Sequence, residues 1–227
     1  MISICVPAIR KPQSLKHLVD SIFETAADPQ DVEVIACINT DEPYKDVYLM
    51  DKRVAYIVVE PTTAIEGWNL CAEMASGDII MACGHTETFL TDGWDILLSS
   101  EFEEHKGQCW MVAPSTGRRK DDTGTPHYFI NREMYEALGY LGSPIFYHWH
   151  MDTYMRELAE AAQRFSRRPD IIVRAKKETD DNEVRRLPRQ PRIHAQGEHA
   201  LQYARKHLMH LEIMKIRNKE LETMWTE

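Results

Sequence analysis

Two short clusters hold the side chains best suited to chemistry. The first is His85-Thr86-Glu87, which follows the apolar run Ile79 to Cys83 and Gly84. Ligands of open α/β sheets bind beyond the carboxyl ends of the strands. A ring nitrogen and a carboxylate two residues apart at such an end can grip a divalent cation. An imidazole and a carboxylate suit Mn²⁺ or another transition ion better than Mg²⁺, which takes oxygen ligands. The second cluster is His148-Trp149-His150-Met151-Asp152. Met151, Tyr154, Met155, Leu158 and Ala161 mark one helix face, which puts Asp152 in that helix's first turn. An acid there commonly stabilises the helix N-terminus. The two histidines lack the His-Glu-x-x-His spacing of a zinc hydrolase. A third feature is a basic bias from Arg164 to Arg192, ten basic residues against five acidic. It reads as a solvated face or as a site for a polyanionic acceptor or a diphosphate.

The elements that must position these groups alternate between strand and helix. Ile2 to Val6 reads as a strand ended by Pro7. Leu15, Leu18, Val19, Ile22 and Phe23 fall at helical spacing behind Pro12. Val32 to Ile38 and Val54 to Val59 are strands. Ile65, Trp68, Ala72 and Ala75 mark a helix expected to stop at Gly77 through a left-handed turn. After strand Ile79 to Cys83, Thr91 is expected to cap a helix containing Trp94, Leu97, Leu98 and Phe102, and Trp110 to Ala113 is a further strand. This alternation predicts a parallel sheet with helices on both faces. There is neither Gly-x-Gly-x-x-Gly nor a phosphate-binding Gly-Lys loop. Beyond Pro114 the pattern is less regular: a polar loop from Ser115 to Thr125, a short strand at Tyr128 to Ile130, a helix over Glu133 to Leu138 stopped by Gly139, and a late strand at Ile171 to Val173. Glu178 to Gln196 reads as loop. From His199 onward Leu201, Ala204, Leu208, Leu211 and Met214 predict an apolar stripe on one long helix, packed on the body. The expected divisions are 1–114, 115–197 and 198–227.

A chain of 227 residues with 43% hydrophobic and 28% charged residues fits a globular protein with a sizeable core. No apolar run is long enough to span a membrane. Met1 leads straight into Ile-Ser-Ile-Cys-Val-Pro, a strand rather than a signal peptide. The five cysteines are scattered through apolar contexts without metal-ligand spacing. They read as reduced core thiols, and the expected location is the cytoplasm. A net charge of −9 argues against general adhesion to nucleic acid.

The order of the pieces resembles inverting glycosyltransferases of the GT-A fold, family 2-like and especially compact phage-type members, over Met1 to about Gln163. Ser3-Ile4-Cys5-Val6-Pro7 resembles that family's first strand. Asn69 to Ile80 resembles its Asn-containing helix and following strand. Thr91-Asp92-Gly93-Trp94-Asp95 resembles its Gly-Trp-Asp helix start, and His148 to Thr153 its acceptor-side motif ending in the catalytic acid. There is one departure. The family's Asp-x-Asp position holds His85-Thr86-Glu87; aligning Gly93-Trp94 puts the acidic pair near His85-Thr86, whereas a His-x-Glu reading uses His85 and Glu87.

The resemblance implies an α/β, Rossmann-like nucleotide-sugar-binding half, an acceptor-side α+β part and a C-terminal helix. It implies transfer of a sugar from a nucleoside diphosphate sugar, uridine being the expected base, to an acceptor hydroxyl with inversion. Asp152 is then the general base. Pro7, Ala8 and Ile9 frame the base. Asp41, Asn69 and Arg119 are nucleotide contacts, with a turn, a surface and an exposed linker as their structural readings. His85 and Glu87 hold a divalent cation, Mn²⁺ before Mg²⁺, with His194 or His199 as further ligand, or the protein works without metal. Trp94, His148, Trp149 and His150 are acceptor contacts, though core packing is the more frequent fate of a lone tryptophan and Trp149, between two histidines, is the better site candidate. Candidate acceptors are DNA with hydroxymethylated bases and glycans. The alternatives are a silent sugar-nucleotide or glycan binder and a nucleotidyltransferase, which lacks its Lys-containing loop here.

Overall fold

The computed structural model describes residues 1–117, 125–175 and 190–224. In chain order the strands are β1 (Ile2–Ala8), β2 (Val32–Asn39), β3 (Val54–Val59), β4 (Ile79–Ala82), β5 (Glu87–Phe89), β6 (Met111–Ser115), β7 (Tyr128–Asn131) and β8 (Phe165–Ala175). The helices are α1 (Pro12–Thr25), α2 (Lys45–Tyr48), α3 (Ala64–Met74), α4 (Trp94–Glu104), α5 (Arg132–Leu138), α6 (Met151–Ala162), α7 (Gln190–His207) and α8 (Met209–Met224).

The sheet order is β3-β2-β1-β4-β7-β6-β8-β5. Its first four strands are parallel, as the strand–helix alternation predicts. β7 then runs antiparallel between β4 and β6, and β5 runs antiparallel to β8. Alternation along β1 sends Ile2, Ile4 and Val6 to one core and Cys5 to the other. The first core joins α1 and α4 through Leu18, Ile22, Trp94 and Leu98. The second joins α3, α5 and α6 through Ile65, Cys71, Met134, Tyr154 and Leu158.

Several local expectations change. β1 continues through Pro7 to Ala8. α3 ends at Met74, and Gly77 is not left-handed. Gly77 is required for space, since a Cβ there would stand 2.6 Å from both Met1 O and Ser3 Oγ. Thr91 does not cap α4; Gly93, at φ 68°, holds that position. Thr91 Oγ1 instead donates to Asp170 O and accepts from Ile172 N, fastening the strand after β5 to β8. The region read as loop up to Gln196 is helical from Gln190, and the single long helix is two, divided at Leu208. That division turns the stripe: Leu201 and Ala204 are buried, Leu211 and Met214 are exposed, and Glu212 and Ile216 face inward on α8.

α8 braces the second core. The phenols of Tyr140 and Tyr154 both donate to the buried Glu212 carboxylate. Arg164 makes a two-pronged contact with Glu220 at 2.6 and 2.9 Å. Gly77→Ala should therefore destabilise the fold by about 1–3 kcal/mol, the usual cost of overpacking. Denaturant unfolding measures it, and a change within a few tenths of a kcal/mol would contradict the close approach.

Candidate functional site

The strand order reverses between β1 and β4, and a cavity of about 590 Å³ opens at their carboxyl ends. That size is ordinary for a ligand pocket. The lining includes Pro7 and Ala8 at the end of β1 and Ile9 just beyond it, with Cys37 and Asn39 from β2. Thr62 to Ala64, Gly67 and Trp68 form the α3 side, and Gly84 to Glu87, Pro126, His127, Tyr147 and His148 close the remainder. α3 reaches this position through two contacts. A Cβ on Gly67 would stand 3.0 Å from Pro7 Cβ, so glycine lets the helix lie on β1. Trp68 Nε1 donates to Cys83 O at 2.9 Å and ties the helix to the end of β4. A Thr63–Glu66 capping box starts α3 at the cavity rim.

His85 and Glu87 share this cavity. Glu87 opens β5, where alternation buries it together with Phe89 while Thr88 is only half-buried. Gly84 makes room for its carboxylate: a Cβ there would stand 3.3 Å from Glu87 Oε1. Glu87 Oε2 lies 3.3 Å from His127 Nε2. His127 is buried, and burial pushes its pKa down to about 4, so the ring is neutral near pH 7. His127 escaped the sequence reading because a lone His after a polar loop carries no spacing signal. The pairing of Tyr128 with Ala82 brings it beside the residues that follow β4.

His148 also lines the cavity, and the charge of Asp152 acts on its ring. Asp152 is not itself among the lining residues. α6 begins at Met151, and its N-cap His150 is left-handed at φ 69°, a conformation disfavoured for a residue with a Cβ. Burial raises the Asp152 pKa; the backbone N–H groups of Thr153 and of Asp152 itself and the charges of His150 and Arg156 pull the other way. His148 is shifted down by desolvation, partly offset by Asp152.

Other candidates are placed elsewhere. Asn69 is engaged with the turn before α6: its Oδ1 accepts from Leu141 N and Gly142 N and its Nδ2 donates to Gly142 O. Asp41 is exposed and away from the cavity; the neighbouring Glu42 is buried and accepts from Arg10 N and Tyr44 N. Asn39, missed in sequence, takes the cavity position on β2. Trp94 is fully buried, donates to Ile22 O and packs on Phe89 and Phe129, which removes it as an acceptor contact. Trp149 is 37% exposed beside the rings of His148 and His194.

His194 and His199 do not join His85 and Glu87: among the described residues, the group of three with ligand atoms close enough for a metal is His150, His194 and Glu198. His199 is exposed on α7. Arg119 and residues 176–189 of the basic segment lie outside the described residues. The described part of that segment is β8 and its approach. There Arg164 pairs with Glu220, Arg168 with Asp170 and Glu101, and Arg174 donates to Thr116 O and Gly117 O.

A His held neutral in the fold binds fewer protons than the unfolded chain between pH 6.5 and about 4, so stability falls as pH drops through that window. His127→Gln should flatten this acid-side loss, by up to roughly 3 kcal/mol across the window. Urea unfolding at pH 7 and pH 4.5 measures it; equal slopes for both proteins would refute the buried neutral ring.

No protein-family model matches the sequence, and no curated protein matches it. Solved structures do. The mannosyltransferase PcManGT from Pyrobaculum calidifontis, in complex with GDP-Man and Mn²⁺, superposes with TM-score 0.60 at 13% identity, over 96% of this chain and 73% of that one. Glucosyl-3-phosphoglycerate synthase from Mycobacterium tuberculosis, with Mn²⁺, UDP-glucose and phosphoglyceric acid, gives TM-score 0.61 at 13% identity, over 89% and 80%. S. aureus TarS 1-349 gives 0.58 at 13% identity, over 91% and 73%; against the longer TarS structure this chain spans 38% of that chain. With its mixed eight-stranded sheet and the crevice at its strand reversal, this chain has the GT-A-like glycosyltransferase fold.

Proposed function

We propose that this chain is an inverting glycosyltransferase that moves a sugar from a nucleoside diphosphate sugar to an acceptor hydroxyl. The observation that carries the reading is a cavity lined by Pro7 to Ile9, by His85 to Glu87 and by His148, whose ring feels the charge of Asp152. The donor's base would rest against Pro7, Ala8 and Ile9, with Asn39 available for hydrogen bonding. Its diphosphate would then lie toward His85 and Glu87.

Asp152 is the general base. Its carboxylate takes the acceptor's proton as the acceptor oxygen attacks the anomeric carbon, and the bond from that carbon to the diphosphate oxygen breaks on the opposite face. Burial raises the Asp152 pKa, which makes its carboxylate a better proton acceptor than an ordinary aspartate. His148 would orient the acceptor between Asp152 and the donor.

His85 and Glu87 are the residues that would hold a divalent cation. They contribute one nitrogen and one carboxylate, and Gly84 leaves the carboxylate its space. Such a cation neutralises the charge that develops on the leaving diphosphate. Mn²⁺ accompanies the donors in two of the neighbours, and Mg²⁺ with UDP occupies another structure of the mycobacterial synthase. UDP-sugars bind two of these neighbours and GDP-Man the third, which supports a nucleotide-sugar donor with uridine as the first base to test. Hydroxymethylated DNA and glycans are the acceptor classes for a mass-spectrometric screen. The ion-paired Arg164 and Arg168 favour glycans as the first panel.

Asp152→Asn should lower turnover by at least about 10²-fold, the scale of general-base catalysis, while binding of a nucleoside diphosphate persists by calorimetry. Equal loss of both would assign Asp152 a folding role. In the unaltered protein the acid limb of kcat/KM should lie above the ordinary aspartate value of about 4. Nucleotide-sugar binding with no turnover on any acceptor and no donor hydrolysis would support the silent binder instead. His85→Ala should weaken Mn²⁺-dependent transfer, and full activity of the unaltered protein in chelator would remove the metal from the reading.

A further inference from the structure

The start of α7 lies against the turn that precedes Asp152. Gly197 permits the approach: a Cβ there would stand 2.7 Å from Trp149 O and 3.1 Å from His150 Cδ2. His194 and Glu198 are one helical turn apart on α7, with Nδ1 and Oε1 separated by 3.4 Å. The His150 ring meets the His194 ring edge-on at 4.8 Å between centroids. One ligand atom from each of His150, His194 and Glu198 lies within 4.8 Å of the other two. His150 Nε2 is shut off from solvent and has no hydrogen-bond partner. A His–Glu pair one turn apart is common on helix surfaces. A second imidazole beside that pair, with a buried and unsatisfied nitrogen, is not, because buried polar atoms normally find a partner.

We propose that His150, His194 and Glu198 form a metal centre for Zn²⁺, or an ion with the same preference for nitrogen and oxygen ligands, separate from His85 and Glu87. Two imidazoles and one carboxylate, with a water in the fourth position, are a well-known zinc donor set. Tetrahedral zinc with bonds of about 2.0–2.2 Å places neighbouring ligand atoms about 3.4 Å apart. The His194–Glu198 edge already has that length. The edges to His150 close by rotation of exposed side chains on α7. The ion would clamp the first turns of α7 to the N-cap of α6. Because His150 is the left-handed residue that launches α6, the clamp would hold the turn from which Asp152 projects. This centre does not depend on the transferase reading.

The test is Zn²⁺ titration by calorimetry on the full chain, with Co²⁺ absorption as a second readout. The unaltered protein, His85→Ala, His150→Ala and Glu198→Gln are compared. The unaltered protein should bind Zn²⁺, show the visible bands of tetrahedral Co²⁺ and melt at a higher temperature with the ion. His150→Ala and Glu198→Gln should each weaken Zn²⁺ binding by at least about tenfold, since even partners of metal ligands carry that much. His85→Ala should leave the affinity of the His150–His194–Glu198 cluster unchanged, removing only any separate binding event at His85 and Glu87. Glu198 is exposed, so its conservative replacement leaves the fold intact; far-UV circular dichroism checks His150→Ala. Absence of Zn²⁺ binding by the unaltered protein, affinity unchanged from the unaltered protein in both cluster variants, or loss of the cluster's Zn²⁺ binding in His85→Ala would each overturn the proposal.

Discussion

A parallel sheet leaves its carboxyl edge uncovered wherever consecutive connections depart in opposite directions. Here the chain moves outward from β1 to β2 and β3, then returns to lay β4 on the other side of β1. Neither connection can cover the edge between β1 and β4, so a crevice forms there. Its depth is set by how closely α3 lies on the sheet. Gly67 brings the helix backbone onto Pro7 and Cys37, and the Trp68 indole ties it to the last carbonyl of the β4 run.

Two titratable groups at and near that crevice share one physical condition, partial exclusion from water. It acts in opposite directions on acids and bases. The buried His127 is driven toward its neutral form and Asp152 toward protonation, because each environment penalises charge. What keeps Asp152 ionisable is the helix it begins: first-turn N–H groups answer the carboxylate, while the body of the protein desolvates it.

The second half of the chain acts as support. β7 enters antiparallel beside β4 and sets His127 against Glu87. β8 returns alongside β6 and takes up the arginines of the basic segment that the structure describes. α8 then holds α6 through buried phenol–carboxylate contacts at Glu212 and the Arg164–Glu220 fork. Removing a phenol from the buried Glu212 contact leaves that carboxylate with one partner fewer, so these contacts matter to how α8 holds α6.

Periodicity and punctuation were legible in the chain from the start. The four parallel strands, α1, α3, α5 and α6, the Gly139 stop and the placement of Asp152 in a first turn all follow from apolar spacing and local backbone preference. These are short-range effects, decided within a few residues. The motif at His85 to Glu87 was visible for the same reason. Partnership across the sequence was not. That Glu87 would face His127, that Asn69 would bind the 141–142 turn, that Trp94 would be buried, and that His194 would meet His150 depend on strand register and helix docking. Nor did the stripe from Leu201 to Met214 survive, because a break at Leu208 turns α8 to offer Glu212 and Ile216 instead. Local spacing fixes which side of an element a residue occupies. Only the packed fold decides what waits on that side, since the contacts that determine it join residues far apart in the chain.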